Sequence, residues 1–328
     1  MCAAENNRTP PSTFFKLLDN VTTQMNSANV EKRLAGVVAL TALADRWVEQ
    51  RQACINALCA YVRTTHVPPT PGEPLMTDEH DDWNRSNEEF AIRLKLVAEI
   101  IKRLRHGSQV SWQGLNFDFS GATFSGGTVD FSGATFSGSN VVFYRAQIIG
   151  SQVDFSCAQF EWAPQFVDTQ FSSGEVRFSL TQFRGEFANF LRSSFSGAIV
   201  SFERAVIASN FVDFNYAEFS GGNVDFSESR IEGEVYFTNA RFSGTDVSFE
   251  GAYCTGFLSF EGVRFEASKV DFKKAHIMCP IQLLEIGFFG GELDLFGVDP
   301  NSFQLNRLFG IDLQNPPHGL LLPSMPLD

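Results

Sequence analysis

Few residues in this sequence have the types and spacing that catalysis requires. The five histidines are scattered: His66, His80, His106, His276 and His318. The chain contains no HxxxH pair for a metal, no GxSxG turn for a nucleophilic serine and no GxxxxGK[ST] loop for a phosphate. We therefore predict that the protein is not an enzyme and that it has no cofactor, metal or catalytic residues.

One acidic cluster could hold a metal ion. His80 stands among Asp78, Glu79, Asp81 and Asp82. These residues belong to the Pro-rich stretch THVPPTPGEPLMTDEHDDWN, a composition typical of an exposed loop. Carboxylates on such a loop are solvated, so we interpret the cluster as a solvated run of charge.

The charge of the chain is unevenly distributed. The net charge is −13. Residues 1–107 hold 13 acidic and 13 basic residues, whereas residues 108–299 hold 23 and 11, a net charge of −12. A field of this sign disfavours direct binding to nucleic acid or to an anionic membrane, and it favours solubility or a basic partner.

The sequence gives no sign of a membrane or secreted protein. It contains no uninterrupted apolar window long enough for a spanning helix, and the start MCAAENNRTPPS lacks the order of a signal peptide. The six cysteines form no CxxC pair, which fits reduced thiols. We expect a cytoplasmic protein.

A short apolar pattern repeats through the acidic region. DFSGATFSGG, starting at Asp118, returns almost unchanged from Asp130. The apolar centres follow at alternating steps of five and seven residues, sometimes six, and a second apolar or small residue stands two positions before each centre. This pattern predicts very short strands, each followed by a turn. It predicts a ladder of core phenylalanines: Phe119, Phe131, Phe143, Phe155, Phe178, Phe202, Phe226, Phe249 and Phe272.

The repeated units, such as ATFSG at 134–138 and VDFSG at 129–133, resemble those of the pentapeptide repeat proteins over residues 115–297. The resemblance implies a right-handed, four-sided β-helix with a Phe/Leu ladder inside. This chain departs from the ideal pattern because one or two residues are inserted after every second unit. Two such pairs of units would make a coil of about 24 residues, and one pair would make a thin coil of 12.

The outward residues favour the longer coil. Sorted at 24 residues, the positions just before the valine-preceded centres fall into two columns with different compositions. One column contains five aspartates: Asp130, Asp154, Asp225, Asp271 and Asp294. The other contains two. We call the five aspartates the acidic column. The predicted fold is α+β by domain, with an N-terminal α-helical bundle followed by a right-handed quadrilateral β-helix.

The predicted organisation has four parts. Residues 1–12 are a disordered N-terminus, residues 13–107 a helical domain with a mobile loop at 66–86, residues 108–299 the β-helix, and residues 300–328 a C-terminal cap or dimerisation tail. The segments 30–43 and 56–63 also resemble the α-hairpin module that precedes pentapeptide repeats in some actinobacterial proteins. Such a domain would cap the open strand edges of the first coil or dock to a partner.

Two functions fit this organisation. The first is a non-enzymatic scaffold that binds an unidentified protein partner. The second is a mimic of duplex DNA: several pentapeptide repeat proteins occupy the DNA site of type II topoisomerases such as gyrase and protect them from drugs or toxins. The acidic column fits the mimic, whereas Arg177, Arg184, Arg192 and Arg204 interrupt its acidity. The tail also predicts a homodimer.

Overall fold

The computed structural model describes residues 12–64, 79–125, 127–137, 140–150, 152–172 and 174–323. The chain forms two compact units, a helical unit that ends at Ile100 and a solenoid unit that starts at Ile101. The predicted disordered segment, apart from Ser12, and residues 66–78 of the predicted loop lie outside the described residues.

The helical unit contains four α-helices within its described part. They are α1 (Ser12–Met25), α2 (Val30–Arg46), α3 (Arg51–Arg63) and α4 (Glu79–Leu104), with a 3₁₀ turn at Val48–Gln50 between α2 and α3. Asn29 caps α2, because its side-chain oxygen accepts the backbone N–H of Lys32 at 2.9 Å. The apolar faces of these helices form the core of the unit.

Helix α4 starts earlier than the composition of the chain suggested. We expected a loop as far as residue 86, but the helix begins at Glu79. The last proline of the stretch is Pro74, so no later residue lacks a backbone donor. Acidic residues also favour the first turn of a helix, because the N-terminal end of the helix dipole is positive. Residues 79–86 are therefore helical.

The solenoid unit consists of parallel strands of two or three residues in four sheets, which we call faces 1 to 4. Bridges through Gln165 join β5 to β12 on face 1. The strands of face 1 are β1 (Phe117–Asp118), β5 (Val141–Val142), β12 (Phe187–Asn189), β16 (Phe211–Asp213), β20 (Glu234–Tyr236), β24 (Phe257–Ser259), β28 (Ile281–Gln282) and β31 (Leu308–Phe309). Those of face 2 are β2 (Thr123–Ser125), β6 (Gln147–Ile149), β9 (Gln170–Ser172), β13 (Ser194–Ser196), β17 (Glu218–Ser220), β21 (Arg241–Ser243), β25 (Arg264–Glu266) and β29 (Gly287–Phe289).

Faces 3 and 4 alternate with them along the chain. The strands of face 3 are β3 (Thr128–Asp130), β7 (Gln152–Asp154), β10 (Glu175–Arg177), β14 (Ile199–Ser201), β18 (Asn223–Asp225), β22 (Asp246–Ser248), β26 (Lys269–Asp271), β30 (Glu292–Asp294) and β32 (Leu320–Leu321). Those of face 4 are β4 (Thr135–Phe136), β8 (Gln159–Phe160), β11 (Gln182–Phe183), β15 (Val206–Ile207), β19 (Arg230–Ile231), β23 (Tyr253–Cys254) and β27 (His276–Ile277).

The register of the strands fixes the length of the coil. Val129 pairs with Val153 on the next coil, and Val153 pairs with Val176, so the partners are 24 and then 23 residues apart. The same intervals recur on all four faces. The predicted coil of about 24 residues is therefore confirmed, and the 12-residue alternative is wrong. The right-handed sense of the coil stays a prediction.

The core is built from stacked phenylalanines. The nine residues predicted as one ladder are all buried, and they divide between two parallel stacks. In one stack, Phe202 lies 4.9 Å from Phe178 and 4.7 Å from Phe226, with nearly parallel rings. The other stack, which includes Phe119 and Phe143, meets the first edge to face, as at Phe143 and Phe155 (5.8 Å).

The tail extends two of the four faces. Strand β31 pairs with β28 on face 1, and β32 pairs with β30 on face 3. Leu320 is buried in this position, as its apolar run led us to expect, whereas Leu321 stays exposed. The tail therefore covers part of the last coil.

We expect replacement of one rung of the ladder to destabilise the solenoid strongly. Phe202→Ala should lower the free energy of unfolding by about 3–5 kcal/mol, because it leaves a cavity between two stacked rings. Phe202→Leu should cost less than about 1.5 kcal/mol, because it conserves most of the volume. Urea-induced unfolding measures both values, and equal losses for the two variants would contradict the packing argument.

Candidate protein-interaction surfaces

The acidic column lies on the outer side of face 3. Its five aspartates occupy the same position of successive or alternate coils, because Asp130 pairs with Asp154 and Asp271 with Asp294. A neighbouring outward column adds Glu175, Asp246 and Glu292. With these three, the strands of face 3 carry eight carboxylates and two cations, Arg177 and Lys269. This face is the most acidic surface that the sequence predicted.

Each aspartate of the column has a structural task in its own turn. The Oδ1 atom accepts the backbone N–H two residues later: Asp130 from Ser132 (2.9 Å), Asp154 from Ser156 (2.7 Å), Asp225 from Ser227 (2.8 Å), Asp271 from Lys273 (3.3 Å) and Asp294 from Phe296 (2.9 Å). This contact is an Asx turn. Asn189 makes the same contact on face 1, where it accepts from Leu191 at 3.0 Å. The geometry of the turn therefore accounts for an Asp or Asn at this position.

Cations already pair with three carboxylates of the column. Arg105 lies 2.6 Å from Asp130, Lys269 lies 3.1 Å from Asp294, and Arg177 lies 3.9 Å from Asp154. Partial burial raises the pKa of Asp130, but hydrogen bonds from Ser132 and Arg105 outweigh burial and hold that pKa below its usual value. Among the described residues, no Lys or Arg nitrogen lies within 4.0 Å of Asp225 or Asp271.

The arginines in the middle of the solenoid form ion pairs between coils. Arg192 donates two hydrogen bonds to Asp168, at 2.7 and 3.0 Å, and Arg204 donates one to Glu228 at 2.7 Å. The members of each pair are one coil apart and have a positive φ between 54° and 56°. Because these corners project into solvent, each pair contributes at most about 1 kcal/mol. Most of the mid-solenoid arginines thus neutralise acidic neighbours of the same chain.

An outward aromatic stripe on face 1 was missed in the sequence. Phe187 stacks on Phe211 (5.3 Å), Phe211 contacts Tyr236 (6.4 Å), Tyr236 contacts Phe257 (5.7 Å), and Phe257 contacts Phe309 (6.0 Å). The first four rings are half-buried and Phe309 is exposed. We call these five residues the aromatic stripe. Its signal was present, since Phe187, Phe211 and Phe257 stand at outward positions that recur with the period of the coil.

Carboxylates surround the aromatic stripe. Glu234 pairs in register with Phe211 on one side and with Phe257 on the other, and it is exposed. Its Oε2 atom accepts the Tyr236 hydroxyl at 2.5 Å, which raises the pKa of Tyr236 to about 12. Burial raises the pKa of Asp213 on the same face. The stripe is therefore an apolar surface with an acidic border.

The remaining candidates do not form a site. Within the described ranges, no group of three or more His, Cys, Asp or Glu side chains could hold a metal ion. The predicted charge run around His80 lies partly outside those ranges, at Asp78. No helix among the described residues is both long enough and apolar enough to cross a membrane.

Replacement of Asp225 separates the turn role of the acidic column from its charge. We expect Asp225→Ala to lower the free energy of unfolding by about 1 kcal/mol, because the N–H of Ser227 loses its acceptor. Asp225→Asn keeps that acceptor and should change stability by less than about 0.5 kcal/mol. Urea-induced unfolding at neutral pH measures both. If the Asn variant lost as much stability as the Ala variant, charge rather than turn geometry would explain the column.

Comparison with known proteins agrees with this geometry. Residues 214–264 match the family model described as pentapeptide repeats (9 copies). No curated protein and no solved structure matches the chain significantly. The strand register seen inside the matched segment continues through the coils before and after it. The chain is therefore a pentapeptide-repeat β-solenoid with an N-terminal helical unit.

Proposed function

We propose that the protein is a non-enzymatic interaction scaffold whose solenoid binds a protein partner along the aromatic stripe. The observation that carries the proposal is the continuous series of ring contacts from Phe187 to Phe309 on the outer side of face 1. Repeat solenoids present extended surfaces in which each coil adds one set of side chains. A scaffold needs a surface of this kind.

The placement of the rings supports binding rather than stability. The core is complete without them, since the two inner stacks fill the interior. Aromatic residues carry a large share of the binding energy at protein interfaces. The rings of the stripe also hold one another in position, so a partner that covers them would lose little side-chain entropy.

The border of the stripe indicates the chemistry of the partner. Glu234 and Glu186 are exposed beside the rings, and residues 108–299 have a net charge of −12. Charge complementarity favours a partner that presents Lys or Arg around aliphatic or aromatic side chains. The proposed partner is therefore a protein surface of mixed apolar and basic character.

The stripe can be removed without touching the core. We expect the triple variant Phe187→Ser, Phe211→Ser, Phe257→Ser to lose specific partners at least about tenfold, because each buried ring contributes more than about 1.4 kcal/mol. Quantitative affinity purification of wild type and variant from the source cells measures the loss. The control is the variant Ile199→Ser, Val206→Ser, which removes outward apolar side chains from faces 3 and 4.

Three outcomes of this comparison are distinct. Proteins retained by wild type and control but lost from the triple variant support the proposal. An unchanged set of proteins for all three chains contradicts it. Sedimentation velocity tests the predicted homodimer in parallel: self-association that only the triple variant loses would show that the stripe binds a second copy instead.

The acidic face supports a second candidate function, the DNA mimic. In its favour, face 3 carries eight carboxylates on its strands. Against it, cations of the same chain neutralise Asp130, Asp154 and Asp294. One carboxylate per rung of about 4.8 Å is also sparse beside duplex DNA, which carries one charge per ~1.7 Å. The scaffold is therefore the better supported function.

A supercoiling assay with purified gyrase, with and without a fluoroquinolone, separates the two functions. At low salt and micromolar protein, we expect neither inhibition nor drug protection. An effect that disappears when the acidic column is changed to Lys, and that survives in the triple variant of the stripe, would replace the scaffold with the mimic. The variant Asp225→Asn, Asp271→Asn is the control for the turn geometry.

A further inference from the structure

The helical unit contains a cavity that the proposed function does not use. Its volume is about 750 Å³, and it lies between the α1–α2 loop, the start of α2, the end of α3 and one side of α4. The residues that matter for its chemistry are Arg33, Tyr61, Thr64, Glu89 and Arg93. These side chains come from three different helices and from the residue that follows α3.

A buried arginine in this cavity has an unused donor. Arg93 is only 4% exposed. Its Nη2 donates to the Thr64 carbonyl at 2.6 Å and to Thr64 Oγ1 at 2.9 Å, and its Nε donates to Glu89 Oε1 at 3.1 Å. Its Nη1 is buried and has no hydrogen-bond partner in the described part of the chain. An unsatisfied donor on a buried charged group is costly, so the position favours an acceptor.

A second arginine lies close to the same carboxylate. Arg33 donates through Nη1 to the carbonyls of Ser27 (3.0 Å) and Ala28 (3.2 Å). Its Nε lies 3.5 Å from Glu89 Oε2, and this buried Nε also lacks a hydrogen-bond partner among the described residues. Tyr61 donates to the same Glu89 oxygen at 3.0 Å, and burial raises the pKa of Tyr61. The hydroxyl is therefore neutral.

The charges at the centre of the cavity do not cancel. Arg33 and Arg93 carry two positive charges, and Glu89 carries one negative charge. Glu88 also lines the cavity, but it is exposed to solvent. A monoanion would balance the charge and supply an acceptor to the free donors, whereas a dianion such as phosphate would be repelled more strongly by Glu89.

We propose that this cavity binds a carboxylate, with Arg93 Nη1 as the principal donor. Guanidinium groups match the planar geometry of carboxylates, and such charge-assisted hydrogen bonds are among the strongest in proteins. The carboxylate belongs either to a free organic acid or to the C-terminus of a peptide. This site would make the helical unit a receptor in its own right, independent of the aromatic stripe.

Calorimetry and thermal unfolding of the full chain test the site. The probes are acetate, succinate, inorganic phosphate and the tripeptide N-acetyl-Gly-Gly-Ala, as its free acid and as its amide, all at constant ionic strength with chloride as the reference. We expect saturable binding of at least one carboxylate with a rise in Tm, and weaker binding of phosphate. Binding of the free-acid tripeptide but not its amide or the small acids would assign the site to peptide C-termini.

Variants separate binding at the site from a general effect of anions. Arg93→Lys keeps the charge but removes the Nη1 donor, and it should weaken the binding about tenfold or more. Arg33→Lys tests the second donor if Arg93→Lys does not fold. Arg46→Ala, which removes an exposed charge from the other end of α2, is the control and should leave binding unchanged.

Two results would overturn the proposal. The first is the absence of any saturable carboxylate effect on the wild-type chain. The second is equal binding by wild type, Arg93→Lys and Arg33→Lys.

Discussion

The interval of 23 or 24 residues between hydrogen-bonded strands governs the whole solenoid. Parallel pairing at this interval places each residue directly above its equivalent on the previous coil. A small set of side chains is therefore repeated inward, outward and at the corners. The stacked phenylalanines, the Asx turns and the ion pairs between coils, such as Arg204 with Glu228, all depend on this one interval.

The same interval separates residues that the fold requires from residues that it does not. An Asp or Asn before a turn is a structural requirement, because its side chain accepts a backbone N–H there. A phenylalanine at an outward position has no such task. Phe187 and Phe211 are exceptions to the otherwise polar exterior, and for that reason they are more informative about function than the larger number of acidic residues.

The sequence contained enough information to predict the solenoid, because its repeat states the interval directly. It was less informative wherever a residue type serves two purposes. Asp225 looks the same in a partner-binding surface and in a turn, and only its distance from the N–H of Ser227 distinguishes them. The inward phenylalanines also drew attention away from the outward ones, which share their residue type and differ only in register.

The cavity of the helical unit could not have been predicted from spacing. Arg93 and Thr64 are far apart in the sequence and meet only because α3 and α4 pack together. The start of α4 at Glu79 was hidden for a different reason. Prolines earlier in the same stretch dominated its composition, although they do not constrain the residues that follow them.

The C-terminal tail has a consequence for assembly. It adds a strand to faces 1 and 3, whereas within the described residues faces 2 and 4 end at β29 and β27. The four sheets therefore stop at different heights, and the end of the solenoid is not a flat template. Fibre growth by end-to-end stacking needs open strand edges that match on every side. A staggered end of this kind opposes such growth, so a chain made almost entirely of pairing strands can still stop at a defined length.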